Sequence, residues 1–168
     1  MSTTVDLSTT LGNAWFPSPV FTASGCASSG KELAQFFSLK DIGAVVTKSV
    51  MNKPRHGRPT PRMAETPSGM LNSIGLQGPG IDAFLANDVP WLLQQGSRVI
   101  VSIAGETIDE YSVLARKIRS TPGISAVEVN ISCPNVENRG MVFAADCDTA
   151  ARVIEGVRKV IGGEIPIL

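Results

Sequence analysis

The chain has 168 residues, 43% of them hydrophobic, and its 15 basic and 15 acidic side chains leave no formal net charge. That length and apolar content provide for one substantial core, and the balanced charge advertises neither a nucleic-acid surface nor an anionic-membrane surface. Apolar runs are interrupted well short of the roughly 20 residues needed to cross a bilayer, and MSTTVDLSTTLGN lacks a basic start followed by an apolar block. The expectation is a cytoplasmic protein. Its cysteines, Cys26, Cys133 and Cys147, are widely spaced with no CxxC pair, which predicts reduced thiols and no zinc site.

In chain order, Leu7 to Leu11, a turn at Gly12-Asn13 and then Trp15-Phe16 predict a small hairpin suited to capping one end of a barrel. Pro19 to Ala23 reads as the first core strand, stopped by Ser24-Gly25. Gly30 to Leu39 carries Leu33, Ala34, Phe36, Phe37 and Leu39 at mostly helical spacing, which predicts a helix. Gly43 to Val50 is an almost unbroken apolar run, as in a strand covered on both faces. Met51 to Met70 follows as a long loop with Pro54, Pro59, Pro61 and Pro67 among Lys53, Arg55, His56, Arg58 and Arg62; loops of that length usually work or are disordered.

A helix is predicted from Ile81 to Gln95, broken or kinked at Pro90, and a third strand from Ser97 to Ala104. Thr107 with Glu110 three residues on is a capping-box start for a helix through Arg119, whose Tyr111, Leu114, Ala115 and Ile118 share one face. Ser125 to Ser132 is the fourth strand, Cys147 to Ile161 the next helix, and Ile165 to Leu168 a fifth strand barely begun. Strand-helix alternation with helix-length crossovers predicts a parallel sheet with helices outside. An open doubly wound sheet and a (β/α)8 barrel both satisfy it. A whole barrel takes about 250 residues, so the second architecture makes this chain roughly half of one.

The chemistry gathers where strands end. Val127 to Ser132 alternates apolar and polar residues before Cys133, and polar residues at the C-terminal ends of β/α strands face an open rim. There Cys133 is either a thiol able to take a proton or a small buried hydrophobe. Lys48, at the end of the second strand, is either a cation on the same rim or a snorkelling surface lysine. Asn72 and Asn130 offer donor and acceptor pairs suited to an imide edge, or they satisfy local backbone. Ser24-Gly25 and Ser102 to Gly105 let backbone approach a planar group, or simply turn the chain. His56 stands without a carboxylate pattern, so a Ser-His-Asp or zinc-protease site has little support. Neither GxGxxG after the first strand nor GxxxxGK[ST] occurs, which disfavours a Rossmann nucleotide site and a P-loop.

Four blocks together, Thr22-Ala23-Ser24-Gly25, Thr47-Lys48-Ser49, Glu65 to Gln77 and Asn130-Ile131-Ser132-Cys133-Pro134-Asn135, resemble the N-terminal half of class 1 dihydroorotate dehydrogenases. The resemblance runs from about Leu7 to the last residue, with the blocks in family order. It implies a (β/α)8 barrel holding FMN, of which residues 1–168 form the first half of a single domain and stop within strand five. The implied reaction is oxidation of dihydroorotate to orotate in pyrimidine biosynthesis. Cys133 matches the catalytic base; Ser24, Lys48, Ser49, Ser102 and Asn130 match flavin-contacting positions, with Ser102 standing where many members have Asn. Lys48, Asn72, Ser73, Ile74, Gly75, Leu76 and Asn130 match substrate-binding positions, and no metal is implied. The wording Glu-Thr-Pro-Ser-Gly-Met-Leu-Asn is similar to class 1B, whose catalytic subunits self-associate, pair with an electron-transfer subunit carrying FAD and a 2Fe-2S cluster, and deliver electrons to NAD. The remaining flavin-phosphate and substrate groups would lie beyond Leu168, so the chain alone is expected to be inactive. A non-catalytic half-barrel module and a flavin barrel for another dihydropyrimidine are the alternatives.

Overall fold

The computed structural model describes residues 5–133 and 142–168; Pro134 and Asn135 of the last motif lie outside the described residues. Thr9–Leu11 (β1) and Ala14–Phe16 (β2) form the expected antiparallel hairpin. Phe21 then bridges Ala44 in a parallel sense, the short first strand of the sheet. No α-helix follows it. Gly30 to Leu39 instead forms a 3-10 turn at Leu33–Gln35, and a second begins at Leu39. Phe36 is 83% exposed, so the apolar spacing gives no continuous face to bury, and extended Ser38 ends the turn; short helices need such packing to persist.

Val45–Val46 (β3) is buried on both faces, as its apolar run predicts. The long loop is a correction: it carries a second hairpin, Met63–Thr66 (β4) against Gly69–Asn72 (β5), closed by Pro67-Ser68. Its neck is sealed by an antiparallel bridge between Arg55 and Gly78. Ile81–Gln94 (α1) runs through Pro90 without a break. Pro90 and Ala86, whose carbonyl loses its helical donor there, are both exposed, while Val89 and Leu92 hold the helix on the sheet.

Val99–Ile103 (β6) is wholly buried, and Ile108–Arg119 (α2) follows. Thr107 caps this helix by accepting from the Glu110 N–H at 3.3 Å, while the Glu110 carboxylate turns back to the Glu106 N–H at 2.7 Å. Tyr111, Leu114, Ala115 and Ile118 form its buried face, as predicted. Ile124–Val129 (β7) and Cys147–Ile161 (α3) complete the elements, and Ile167 bridges Val127 as a fifth parallel strand.

Hydrogen-bonded neighbours follow chain order: Phe21 beside Ala44, β3 beside β6, β6 beside β7, β7 beside Ile167, all parallel. A doubly wound sheet reverses its order at a switch point, and these strands do not. The sheet has two faces with different partners. Val45, Val99, Val101, Ile103, Val127 and Val129 pack against the helices in the larger core. Ala44, Val46, Ile100 and Ala126 face the other way, where fully buried Phe16 of β2 covers them. Arg98, at the start of β6, lies 5.3 Å from the Trp15 ring, so the first hairpin sits where the strands begin. The opposite end of that inner face, where the strands finish, carries the polar residues. Among the described residues the sheet is open, and no helix is long and apolar enough to cross a membrane.

Candidate active site

A β-bulge sets up the site. Val46 stands opposite Ile100 and Val50 opposite Ile103, so four steps on one strand face three on its neighbour and one residue is extra. Buried backbone groups must still be paired, and each displaced partner has a replacement. The Lys48 N–H leaves the ladder and donates to the Ser28 carbonyl at 2.9 Å. The Ser102 N–H donates to Thr47 Oγ1 at 3.3 Å, and Val50 resumes the ladder by donating to the Ser102 carbonyl at 2.8 Å. On the other side of β3, the Thr22 hydroxyl takes both Val46 groups, accepting from its N–H at 2.8 Å and donating to its carbonyl at 3.2 Å.

The extra residue turns consecutive side chains to different tasks. Lys48 is half-buried and lines a cavity of about 760 Å³. Ser49 points back under the strand ends, where its hydroxyl lies 2.8 Å from that of fully buried Ser102. Asn130, immediately after β7, donates from Nδ2 to Ser49 Oγ at 2.9 Å. Its Oδ1 accepts from the Ser132 N–H and hydroxyl at 3.2 and 3.3 Å. Both ends of the Asn130 amide are thereby fixed, and three adjacent strand ends are tied side chain to side chain.

Cys133 follows three residues later, half-buried. Tyr111 of α2 braces the start of the segment that leads to it, its hydroxyl donating to the Asn130 carbonyl at 2.7 Å. Burial pushes the Tyr111 phenol above its usual range; hydrogen bonding with the Gly105 backbone opposes this, and the charges of Cys133 and Glu110 add to it. The phenol is therefore a donor at neutral pH. Ala144, beyond residues 134–141, donates to the Ile131 carbonyl at 3.0 Å.

Ser24 is half-buried in the loop after the first strand, next to Gly25 of the cavity wall. Ile74 lines the same cavity as Lys48 and Ser49, with His56, Arg55 and Gln77. The stretch holding Ile74 is packed tightly: an added Cβ on Gly75, at φ +81°, would stand 2.9 Å from the Arg58 nitrogen, so only glycine fits. Leu76 is half-buried with φ 52°, uncommon for a leucine. Asn72 and Ser73 are exposed at the foot of the second hairpin, where the Ser73 N–H donates to the Arg62 carbonyl at 2.8 Å. Among the described residues, no hydrogen bond joins the Asn72 or Ser73 side chain to Lys48 or Asn130. Arg55 pairs with Glu106 at 2.6 Å, linking the neck of the long loop to the turn between β6 and α2.

Several contributions to the site carried no sequence signal. Ser28 serves the bulge, which is not written in apolar periodicity; Thr47 stands in the Thr47-Lys48-Ser49 block, but its hydroxyl contact with the Ser102 N–H follows from the bulge alone. Tyr111 is legible only as a core position, its hydroxyl contact depending on where β7 ends. Among the described residues, no group of three or more His, Cys, Asp or Glu could hold a metal ion.

A chain from Anoxybacillus flavithermus named dihydroorotate dehydrogenase B (NAD(+)), catalytic subunit, is 44% identical over 149 residues, 89% of this chain and 47% of that one. Proteins of the same name from Geotalea daltonii and Bacillus caldolyticus are each 46% identical, over 92% and 84% of this chain and 50% and 45% of their own. The chain thus spans about half the length of the curated relatives it matches. The family model described as dihydroorotate dehydrogenase matches residues 6–168, and with the strand-end blocks in their expected order this chain belongs to that family.

Proposed function

We propose that the chain supplies the first half of a (β/α)8 barrel that oxidises dihydroorotate to orotate in pyrimidine biosynthesis, with residues 1–168 ending inside the fifth strand. The observation that carries this reading is the hydrogen-bonded run Ser102, Ser49 and Asn130 across three adjacent strand ends, beside Lys48 at the cavity. Chain-order parallel strands are what a barrel requires, and its chemistry belongs at the strand ends.

The residues suit an FMN cofactor. A flavin edge needs donors in a dry, rigid setting, and the Lys48 ammonium and the fixed Asn130 amide supply them, with Ser24 and Ser49 alongside. Ser102 is fully buried with its hydroxyl engaged by Ser49, so in this reading it supports the flavin site from behind. An FMN held by Lys48, Asn130, Ser24 and Ser49 would supply the hydride-accepting chemistry. The chain's own residues do the rest. Lys48 neutralises the substrate carboxylate or imide charge; Asn130, Asn72 and the backbone of Ser73 to Leu76 orient the ring. Cys133 takes the C5 proton as general base, assistance typically worth about 10² to 10⁴ in rate. The relatives' printed name supports NAD as the final acceptor and a catalytic subunit that works in an assembly; we assign the partner an electron-transfer role with FAD and a 2Fe-2S cluster, and the assembly a cytoplasmic location.

The test separates the half from the whole. The 168-residue chain, purified with added FMN, is expected to stay colourless and not to reduce an acceptor with dihydroorotate. Joined to the C-terminal half of the Geotalea daltonii relative, it is expected to turn yellow and to oxidise dihydroorotate but not dihydrouracil. A folded, flavin-bearing hybrid without that activity would refute the proposal.

A further inference from the structure

Residues that hold a reacting group in place are often remote from it in sequence, and Tyr111 has the marks of one. It is 1% exposed on the inner face of α2, and its hydroxyl donates to the Asn130 carbonyl at 2.7 Å. That carbonyl belongs to the first residue beyond β7: the Asn130 N–H still makes a ladder bond to the Ile103 carbonyl at 2.9 Å, and the chain leaves the sheet from this residue. The ring of Tyr111 is held independently. Phe143 meets it edge-on at 5.9 Å, and a Cβ on Gly105 would stand 3.0 Å from it, so backbone passes close against the ring. Helix α2 is itself capped at Thr107 and packs on α3 and the sheet, which makes Tyr111 a fixed post.

We propose that Tyr111 is a positioning residue for Cys133, acting through the Asn130 carbonyl to hold the segment Asn130 to Cys133 at the strand end. The same bond orients Asn130, whose amide ties Ser49 to Ser132, so one phenol governs both the amide and the thiol of the site. It is not among the residues lining the cavity and, in the proposed reaction, does not touch the substrate. The consequence for catalysis rests on the proposed role of Cys133 as base; the positioning itself does not.

The test reads the thiol directly. Tyr111→Phe keeps the ring and removes the donor. In the 168-residue chain, alkylation of each cysteine by iodoacetamide is followed by peptide mass spectrometry, with exposed Cys26 and Cys147 as internal references. The Cys133 rate is expected to rise about fivefold, the population change that one net neutral hydrogen bond controls, with both references unchanged. Phe143→Leu, which removes ring packing but not the hydroxyl, is expected to leave the Cys133 rate within twofold. Unchanged rates at all three cysteines, a parallel rise at all three, or an equal effect from Phe143→Leu would each overturn the proposal. In the completed barrel the same variant is expected to lower kcat about fivefold, with a smaller rise in KM for dihydroorotate because Asn130 keeps its bonds to Ser49 and Ser132. A shifted Cys133 rate in a hybrid whose Cys133→Ala variant keeps full turnover would refute the base assignment and leave the positioning intact.

Discussion

Asn130 donates to the hydroxyl of Ser49 across 2.9 Å, although 81 residues separate them in the chain. Neither group could find the other without the bulge after Val46, which brings Ser49 beneath the strand ends and leaves Lys48 at the cavity. Removing either partner has a different consequence. Asn130→Ala takes one partner from the buried Ser49 hydroxyl, which keeps Ser102, and releases Ser132, at an expected cost of about 1 kcal/mol in urea unfolding. Ser49→Ala unpairs the Asn130 amide and also takes from the fully buried Ser102 hydroxyl its Ser49 partner, and should cost more, about 1–3 kcal/mol. An equal or smaller loss from Ser49→Ala would mean that the run is not organised around Ser49.

For the thiol, the expectation concerns rate. Cys133→Ala in the completed barrel should keep flavin absorbance while turnover falls by about 10² to 10⁴. Cys133→Ser should work chiefly at raised pH, because a hydroxyl is a far weaker acid than a thiol. Near-normal turnover of the alanine variant at neutral pH would remove Cys133 from the mechanism.

Gly43 lies where the first strand meets β3, its N–H donating to the Val20 carbonyl at 2.7 Å. A Cβ there would stand 2.1 Å from the Ser18 carbonyl oxygen and 2.4 Å from the Phe21 ring. Gly43→Ala must therefore push the first strand away from the sheet, an overpacking cost of about 1–3 kcal/mol. Thermal unfolding measures it, and an unchanged midpoint would show that this edge of the sheet is not tightly joined.

Asp146 caps α3 by accepting from the Thr149 N–H at 2.8 Å and from its hydroxyl, and hydrogen bonding with the Thr149 side chain and backbone holds its carboxyl below the usual range. A depressed folded value means stability that is present above the ordinary aspartate pKa of about 3.9 and is lost as pH falls through the lower folded value. Asp146→Ala should thus melt below the parent at pH 7, with the gap closing only under acid conditions beneath that ordinary pKa. Asp146→Asn should keep most of the cap and lose the pH dependence. A gap that persists unchanged into that acid range would assign the cap to something other than the carboxylate.

Periodicity by itself determined the alternation of buried strands and amphipathic helices, the first hairpin, the Thr107 cap, the buried face of α2 and the limits of α3. Those features depend on neighbours within a few residues, where spacing and side-chain type decide the outcome. The strand-end blocks pointed to Lys48, Asn130 and Cys133 because polar residues that close apolar runs have few other uses. Local spacing failed where burial was decided elsewhere. Phe36 continues a helical apolar spacing but stands in solvent, Pro90 is tolerated because its lost bond faces outward, and the proline-rich loop pairs with itself as β4 and β5. Strand order was likewise beyond local reach: only the contacts of Phe21 with Ala44 and Val127 with Ile167 decide a sequential sheet over a doubly wound one. The bulge at Lys48, the Ser102–Ser49–Asn130 run and the Tyr111 anchor belong to the tertiary structure alone, since each is a hydrogen bond between residues brought together by the register of strands far apart in the chain.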